Sequence, residues 1–182
     1  MLRITLPERE YYDNSKNEFV YLKAQTLDLE HSLISISKWE SKWKKPFFSK
    51  EGKTTPEFID YVRCMTLNPN VDSSAYYGLT REQIKRINEY TDDKMTATWF
   101  NEKNEGRGGG RSQVITSELI YYWMVAYNIP FECQKWHINR LLTLIRICEI
   151  KNAPSKKMNR KDLLARNRSL NASRKHHLGT NG

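Results

Sequence analysis

Cys133 and His137 are the first residues whose types and spacing allow chemistry, because they stand four positions apart. On one helix this spacing places two metal ligands on the same face. A structural zinc site needs about four ligands. Cys148 stands roughly four helical turns from Cys133, and Cys64 and His31 have no matching spacing. A nucleophilic Cys with a His base also requires an orienting carboxylate, and none follows at a recognisable spacing. We interpret Cys133 as a buried thiol and His137 as a hydrogen-bonded core histidine, and we predict no metal, no cofactor and no catalytic residue.

The glycine-rich run at residues 106–110 has the composition of a phosphate-binding loop. A P-loop requires a Lys and then a Ser or Thr after its last glycine, whereas Arg111 and Ser112 follow here. The preceding residues are polar, while a P-loop follows a buried strand. We therefore interpret this run as a loop. Its Arg107 and Arg111 are candidates for contact with an acidic partner.

A basic stretch near the C-terminal end is the clearest functional signal outside the predicted core. Asn159 can cap a helix over residues 160–175 that has few apolar positions. Its candidate partner-binding residues are Arg160, Lys161, Arg166, Arg168, Arg174 and Lys175. Such a helix can neutralise phosphates, can become ordered against a partner protein, or can remain a solvated charged segment.

The composition narrows the class of protein. The chain has 182 residues, which is enough for one core, and a net charge of +9. This charge permits nucleic acid or an acidic protein as partner. No apolar run approaches the roughly 20 residues of a membrane span, and the first residues, MLRITLPERE, lack the apolar core of a signal peptide. We expect no membrane contact. Three cysteines, an odd number, fit a reducing cytosol.

Residues 116–152 are the most apolar part of the chain and are predicted to form its structural centre. Their second half has apolar residues at helical spacing, namely Ile138, Leu141, Leu142, Ile145 and Cys148. Their first half, residues 118–127, is apolar nearly all round, which predicts a central helix. Pro130 separates the halves, because proline lacks a backbone donor and disfavours helical geometry at Ile129. We expect a helix, a tight corner and a longer helix.

The whole pattern predicts a mainly α fold, a helical bundle with a small N-terminal β-hairpin and a basic C-terminal helix or arm. Apolar residues alternate in residues 1–6 and 19–29, which indicates paired strands, and residues 7–16 are polar and turn-rich. Helical spacing in residues 30–43 predicts that Trp39 and Trp43 are buried, and Thr80 with Gln83 predicts a capping box. Residues 95–100 are a short strand or extended coil. We divide the chain into a core of residues 1–152 and a basic arm of residues 153–182.

Three segments resemble a family of small proteins from tailed bacteriophages: residues 32–47 (SLISISKWESKWKKPF), residues 115–154 and residues 156–175. The similarity covers most of the chain from about Leu27 onward. Members lie among tail and virion-morphogenesis genes, and many are labelled tail assembly chaperones or tail-associated structural proteins. The resemblance implies a virion or host-cytoplasmic protein whose partners are other tail or virion proteins, and it carries over no catalytic residue.

Two classes of function follow. The first is a non-enzymatic virion or tail-morphogenesis protein that acts through protein–protein contacts, either as a tail-associated component or as a tail assembly chaperone. The alternative is a small basic nucleic-acid-binding protein that uses the C-terminal arm. Aromatic residues expected to be exposed at a protein interface are Tyr11, Tyr12, Phe47, Tyr76 and Tyr77.

Overall fold

The computed structural model describes residues 1–13, 17–100, 114–153 and 160–179, apart from the side chains at positions 11, 13 and 20. The chain is mainly helical with a short antiparallel ribbon near the N-terminus, so the predicted fold class is confirmed. It divides into two compact units, Met1–Glu149 and Ile150–Gly182, and each is described by itself. The α-helices of the described ranges are α1 (Leu33–Trp43), α2 (Thr55–Met65), α3 (Arg81–Asp92), α4 (Ser117–Ala126), α5 (Ile138–Asn152) and α6 (Arg160–Leu178).

The N-terminal strands form one antiparallel ribbon in two pieces. β1 (Leu2–Leu6) pairs with β4 (Gln25–Leu29), and β2 (Arg9–Asp13) pairs with β3 (Glu18–Leu22). The predicted hairpin is confirmed, but the expectation that residues 7–16 only form a turn is wrong for β2. β2 forms because its residues pair with those of β3. The ring centroids of Tyr12 and Phe19, for example, lie 5.0 Å apart across the two strands. Such cross-strand contacts stabilise strands whose local sequence is polar.

The core lies between the inner ribbon face and the helices. Ile4 of β1 and Leu27 of β4 are fully buried, because alternate residues of a strand share one face. α1 contributes Ile36 and Trp39 at a spacing of three, which places them on one helix face. Trp43, also predicted to be buried, is only half-buried, whereas the predicted burial of Trp39 is confirmed at 2% exposure. Its indole Nε1 donates to the Glu57 carbonyl at 2.9 Å, which satisfies the polar atom inside the core.

Local capping contacts begin and end the helices. The Thr80 hydroxyl accepts the Gln83 backbone N–H at 3.3 Å, and the Gln83 side chain accepts the Thr80 N–H at 2.9 Å. The predicted capping box of α3 is therefore confirmed. Ser32 and Ser35 form an equivalent box at α1 that the sequence reasoning missed. Lys44 ends α1 in the left-handed region, with φ of 55°.

The corner between α4 and α5 follows from two backbone features. Asn128 adopts a φ of 53°, and the Ile129 N–H donates to the Met124 carbonyl at 2.8 Å, which closes α4. After Pro130 the chain forms a short 3-10 helix, Phe131–Lys135, and then enters α5. The predicted helix, corner and longer helix are confirmed.

The predicted inward face of α5 is confirmed in part. Ile138 and Leu141 are fully buried and Ile145 is 6% exposed. Leu142 and Cys148 are only half-buried and pack at the margin of the core. The apolar stripe is therefore wider than the surface that the core covers.

The expectation that α4 is a central helix is wrong. Only one of its faces packs into the core, through the fully buried Ile120 and Met124. On the other side Tyr122 is 65% exposed and Val125 is 60% exposed. The apolar residues on the outer side of α4 are therefore exposed to solvent. Exposed apolar surfaces of this kind mark contacts with other molecules.

Candidate functional site

Two histidines meet in the core between the end of β4 and the start of α5. Ser32 and His137 form an isolated antiparallel bridge, and the Ile138 N–H donates to the His31 carbonyl at 2.7 Å. These contacts bring the two imidazoles edge to face, with ring centroids 5.0 Å apart. His31 is 4% exposed and His137 is 6% exposed, so both rings are nearly closed off from solvent.

Both rings are hydrogen-bonded. His137 Nε2 lies 3.0 Å from the Tyr90 carbonyl, and the Asn139 N–H donates to His137 Nδ1 at 3.3 Å. Because Nδ1 accepts, the proton of His137 lies on Nε2 and is donated to the carbonyl. His31 Nδ1 is hydrogen-bonded to the Tyr61 hydroxyl. The interpretation of His137 as a hydrogen-bonded core histidine is confirmed.

Burial makes the neutral forms of this cluster the stable ones. It lowers the pKa of His31 to about 3, and repulsion from His137 and Lys53 acts in the same direction. Burial also lowers the pKa of His137 and raises the pKa of Tyr61 well above its usual range. A general base near neutral pH needs a pKa close to 7 and contact with its substrate. The closed, hydrogen-bonded geometry instead holds the start of α5 against the segment that follows β4.

The Cys133–His137 pair does not form the arrangement that a metal pair on one helix requires. Cys133 lies in the 3-10 helix Phe131–Lys135, whereas His137 follows that helix and precedes α5. Cys133 is 6% exposed, so its interpretation as a buried thiol is confirmed. Within the described ranges, no three His, Cys, Asp or Glu side chains converge as a metal site would need.

Three buried carboxylates, Glu40, Glu57 and Asp60, were missed by the sequence reasoning. Glu40 is 7% exposed and accepts the backbone N–H groups of Phe47 and Ser117, each at 2.7 Å. One side chain thereby ties the loop after α1 to the start of α4. Glu57 accepts from Lys45 Nζ at 2.6 Å, and mainly this hydrogen bond lowers the Glu57 pKa to about 2. The spacing from Thr54 to Glu57 is a capping-box signal, but no local pattern marks Glu40.

The six basic residues predicted to bind a partner all lie on α6, and all are exposed. α6 has 19 residues, none of which is buried. The charges surround the helix, since residues at spacings of one and two point in different directions. Leu163, Leu164 and Leu170 of the same helix are 46%, 52% and 44% exposed. Arg107 and Arg111, the other two candidates, lie outside the described residues.

The aromatic residues expected at an interface divide into two groups. Tyr12 and Tyr77 are exposed, at 43% and 70%, as predicted. The prediction is wrong for Tyr76 and Phe47, which are 4% and 9% exposed. The Tyr76 hydroxyl donates to a threonine at the end of α2, and the Phe47 ring packs among the core aromatics. The side chain of Tyr11 lies outside the described part of the structure.

A surface groove along α5, here called the α5 groove, was also missed. Its first part lies between α4 and α5 and is lined by Trp123, Tyr127, Leu142, Ile145, Arg146 and Glu149. Its second part has a volume of about 660 Å³ and lies between α5 and residues 94–100. Leu142 and Arg146 line both parts.

Comparison with models of known protein families, with curated proteins and with solved structures gives no match. In the part of the chain that the structure describes, no helix has the combination of length and apolar composition needed to cross a membrane.

Proposed function

We propose that this protein is a non-enzymatic component of tailed-bacteriophage tail or virion morphogenesis, either a tail-associated structural protein or a tail assembly chaperone. It acts through contacts with other tail or virion proteins, in the virion or in the host bacterial cytoplasm. The observation that carries this proposal is α6, a basic helix of 19 residues without a buried side chain. The resemblance of residues 32–47, 115–154 and 156–175 to phage morphogenesis proteins supports the biological setting.

The composition of α6 defines the partner surface that it fits. The helix has six Lys and Arg residues against the single acid Asp162, and like charges repel along a helix. A solvated helix without tertiary packing is only marginally stable. A partner that offers carboxylates to the cations reduces this repulsion. Apolar partner surface against Leu163, Leu164 and Leu170 supplies the tertiary packing that stabilises the helix. α6 is therefore suited to docking on an acidic protein surface that also has apolar positions.

A nucleic-acid-binding protein is the second candidate, and the charge distribution favours it. After Asn152 the chain has eight Lys and Arg residues against one Asp, whereas up to Asn152 it has 22 basic residues against 20 acidic ones. A cationic arm of this kind displaces counterions from phosphates, and its affinity falls steeply with salt. The exposed leucines of α6 gain nothing from phosphates, so we rank this candidate second.

Charge reversal on α6 in the full-length chain tests the first candidate. The variant is Arg166→Glu, Arg168→Glu and Arg174→Glu, and the fold should persist because all three residues are exposed. A phage that lacks the gene is complemented with this variant, and the yield of infectious particles is measured. The matched control makes the same charge change on exposed positions of α3, with Arg81→Glu, Lys85→Glu and Arg86→Glu.

We expect the α6 variant to lose particle formation and the α3 control to retain it. Equal yields from the two variants would contradict the proposal. Mass spectrometry of purified particles then separates a built-in component, present at fixed copy number, from a transient chaperone. DNA binding measured from about 50 to 200 mM salt addresses the second candidate. Salt-steep binding that the α6 variant loses, together with absence of the protein from tail-protein complexes, would favour nucleic acid.

A further inference from the structure

The edges of the inner ribbon strands, β1 and β4, are covered by neighbouring segments. Gln83 Nε2, at the start of α3, donates to the Thr5 carbonyl of β1 at 3.0 Å. Beside β4, the Leu67 N–H donates to the Asp28 carbonyl at 2.8 Å, and the Asp28 N–H donates to Asn68 Oδ1 at 2.6 Å. Native sheets commonly protect their edges in this way, because a covered edge cannot pair with another chain.

The edge of β2 that faces away from β3 has no such cover among the described residues. Within the described ranges, β2 pairs only with β3, in a sheet of two strands. The backbone of Arg9–Asp13 forms no hydrogen bond with any other segment in this part of the chain. Arg9, Glu10 and Tyr12 are exposed. An uncovered strand edge is a template on which a further strand can pair.

The sequence of β2, REYYD, is complementary in charge to a second copy of itself. If two copies of β2 pair antiparallel about a two-fold axis at Tyr11, Arg9 of each copy stands opposite Asp13 of the other. Glu10 then stands opposite Tyr12, and no like charges are directly opposite one another. Opposite charges at paired positions stabilise antiparallel strands, and like charges destabilise them. A shift of one residue in either direction loses both pairs of opposite charges.

The attraction in this register outweighs the repulsion that it creates. Arg9 Nη1 donates to the neutral Gly78 carbonyl at 3.3 Å, which leaves the positive charge and the other N–H donors of the guanidinium for a carboxylate. The two Glu10 positions lie on a diagonal, about 7–8 Å apart. Because the Coulomb energy falls with distance, one diagonal repulsion is weaker than two attractions between directly opposite residues.

The edge of β3 that faces away from β2 fits a second copy less well. Pairing two copies of β3 about a two-fold axis at Val20 places Glu18 opposite Leu22. Leu22 is 5% exposed and has no charge to offer Glu18. The 3-10 helix Ser73–Gly78 also lies beside β3. The pairs of opposite charges therefore favour β2 as the pairing edge.

We propose that a second copy of this protein pairs with the uncovered edge of β2, antiparallel and about a two-fold axis at Tyr11. The two ribbons then form one sheet of four strands, in the order β3, β2, β2, β3. Tyr12, Phe19 and Tyr21 are 43%, 69% and 55% exposed and share one face of the ribbon, so the dimer carries the aromatic rings of both copies on one face. The inference goes beyond the proposed function and uses no residue of α6, since β2 lies in the unit Met1–Glu149.

Sedimentation equilibrium of the full-length protein tests the proposal. A strand edge of five residues is a small interface, so we expect a dimer with a dissociation constant between about 10 μM and about 1 mM. Arg9→Asp and Asp13→Arg each place like charges opposite one another twice, and each should weaken the dimer about tenfold or more. Circular dichroism of each variant checks that the helical fold persists. A protein that remains monomeric up to about 1 mM overturns the proposal.

Exchange of the two charges identifies the pairing positions. An equimolar mixture of the two single variants should form a heterodimer about as tight as the unsubstituted dimer, because unlike charges again stand opposite one another. The double variant with both substitutions should also recover the dimer. Arg81→Asp, an exposed position on α3, is the charge-matched control and should leave the dissociation constant unchanged. The same dissociation constant in all variants, or no recovery in the mixture and the double variant, would overturn the proposal.

Oxidative cross-linking tests the two-fold axis. Directly opposite Cα atoms lie about 4.5–5.5 Å apart in an antiparallel pair, which is within the range of a disulfide. Tyr11→Cys, oxidised with copper phenanthroline, should therefore give a covalent dimer beyond the background from Cys64, Cys133 and Cys148. Tyr12→Cys is the control and should not, because its two copies lie on a diagonal about 7–8 Å apart. Equal cross-linking of the two variants, or none in either, would show that the copies do not pair along β2.

Discussion

His31 is the residue whose acid–base chemistry the fold changes most clearly. Burial, with His137 and Lys53 nearby, lowers its pKa from 6.5 to about 3, so the folded protein keeps the ring neutral. The unfolded chain instead takes up a proton as the pH falls below 6.5. Stability is therefore complete above that value and is lost as the pH falls towards 3. The lowered pKa of His137 acts in the same direction.

We expect the free energy of unfolding to fall by roughly 2 kcal/mol between pH 7.5 and pH 5 from His31 alone, at about 1.4 kcal/mol per pH unit for one histidine. His31→Gln should remove this part of the pH dependence, whatever it does to absolute stability. Urea unfolding at the two pH values measures the difference. His176→Gln on the exposed α6 is the control. The same decline in His31→Gln and the unsubstituted protein would show that His31 is not responsible.

Glu40 is the second residue whose substitution should change the stability of the fold measurably. Glu40→Ala leaves the buried N–H groups of Phe47 and Ser117 without an acceptor, and each unpaired donor costs about 1–3 kcal/mol. We therefore expect a loss of about 2–6 kcal/mol in urea unfolding at pH 7. Glu89→Ala, an exposed position on α3, should change stability by less than about 0.5 kcal/mol. An equally small effect of Glu40→Ala would mean that water or another group replaces the carboxylate.

At the scale of elements, α5 separates a core-forming face from a groove-forming face. Leu141 is fully buried, whereas its neighbour Leu142 is half-buried and lines the α5 groove. Leu141→Ala should cost about 2–5 kcal/mol of stability. Leu142→Ala should cost about 1–2 kcal/mol, because less of its surface is withdrawn from water. Thermal and urea unfolding of the two variants compare them directly, and equal losses would contradict the assignment of faces.

Elements specified by neighbouring residues were predictable from the sequence. The capping box of Thr80 and Gln83 needs only residues three apart, and the corner at Pro130 needs only the proline itself. Burial of Phe47 and Tyr76 was not predictable, because it depends on partners elsewhere in the chain. The α5 groove was missed for the same reason. The part of it beside residues 94–100 includes Asn139, which donates to backbone carbonyls more than 40 residues earlier in the chain.

At the scale of the whole molecule, charge and core occupy different parts of the chain. The net charge is +9, yet the basic and acidic residues up to Asn152 are nearly equal in number. The unit Met1–Glu149 contains the buried cluster and the α5 groove, and α6 contributes basic and apolar groups without a buried residue. The surplus of basic charge therefore lies after Asn152, in the unit that contains α6.

A chain that ends at Asn152 tests this division. Because α6 buries no side chain, its removal should shift the thermal midpoint by less than about 2 °C, followed by circular dichroism. Ile120→Ala, at a fully buried position, is the control that shows the assay detects lost core contacts. The shortened chain should fail to support infectious particles, because the basic helix that we propose docks on a partner is gone. Particles at the normal yield would show that α6 has no part in assembly, and a lowered midpoint would show that it contributes to the fold.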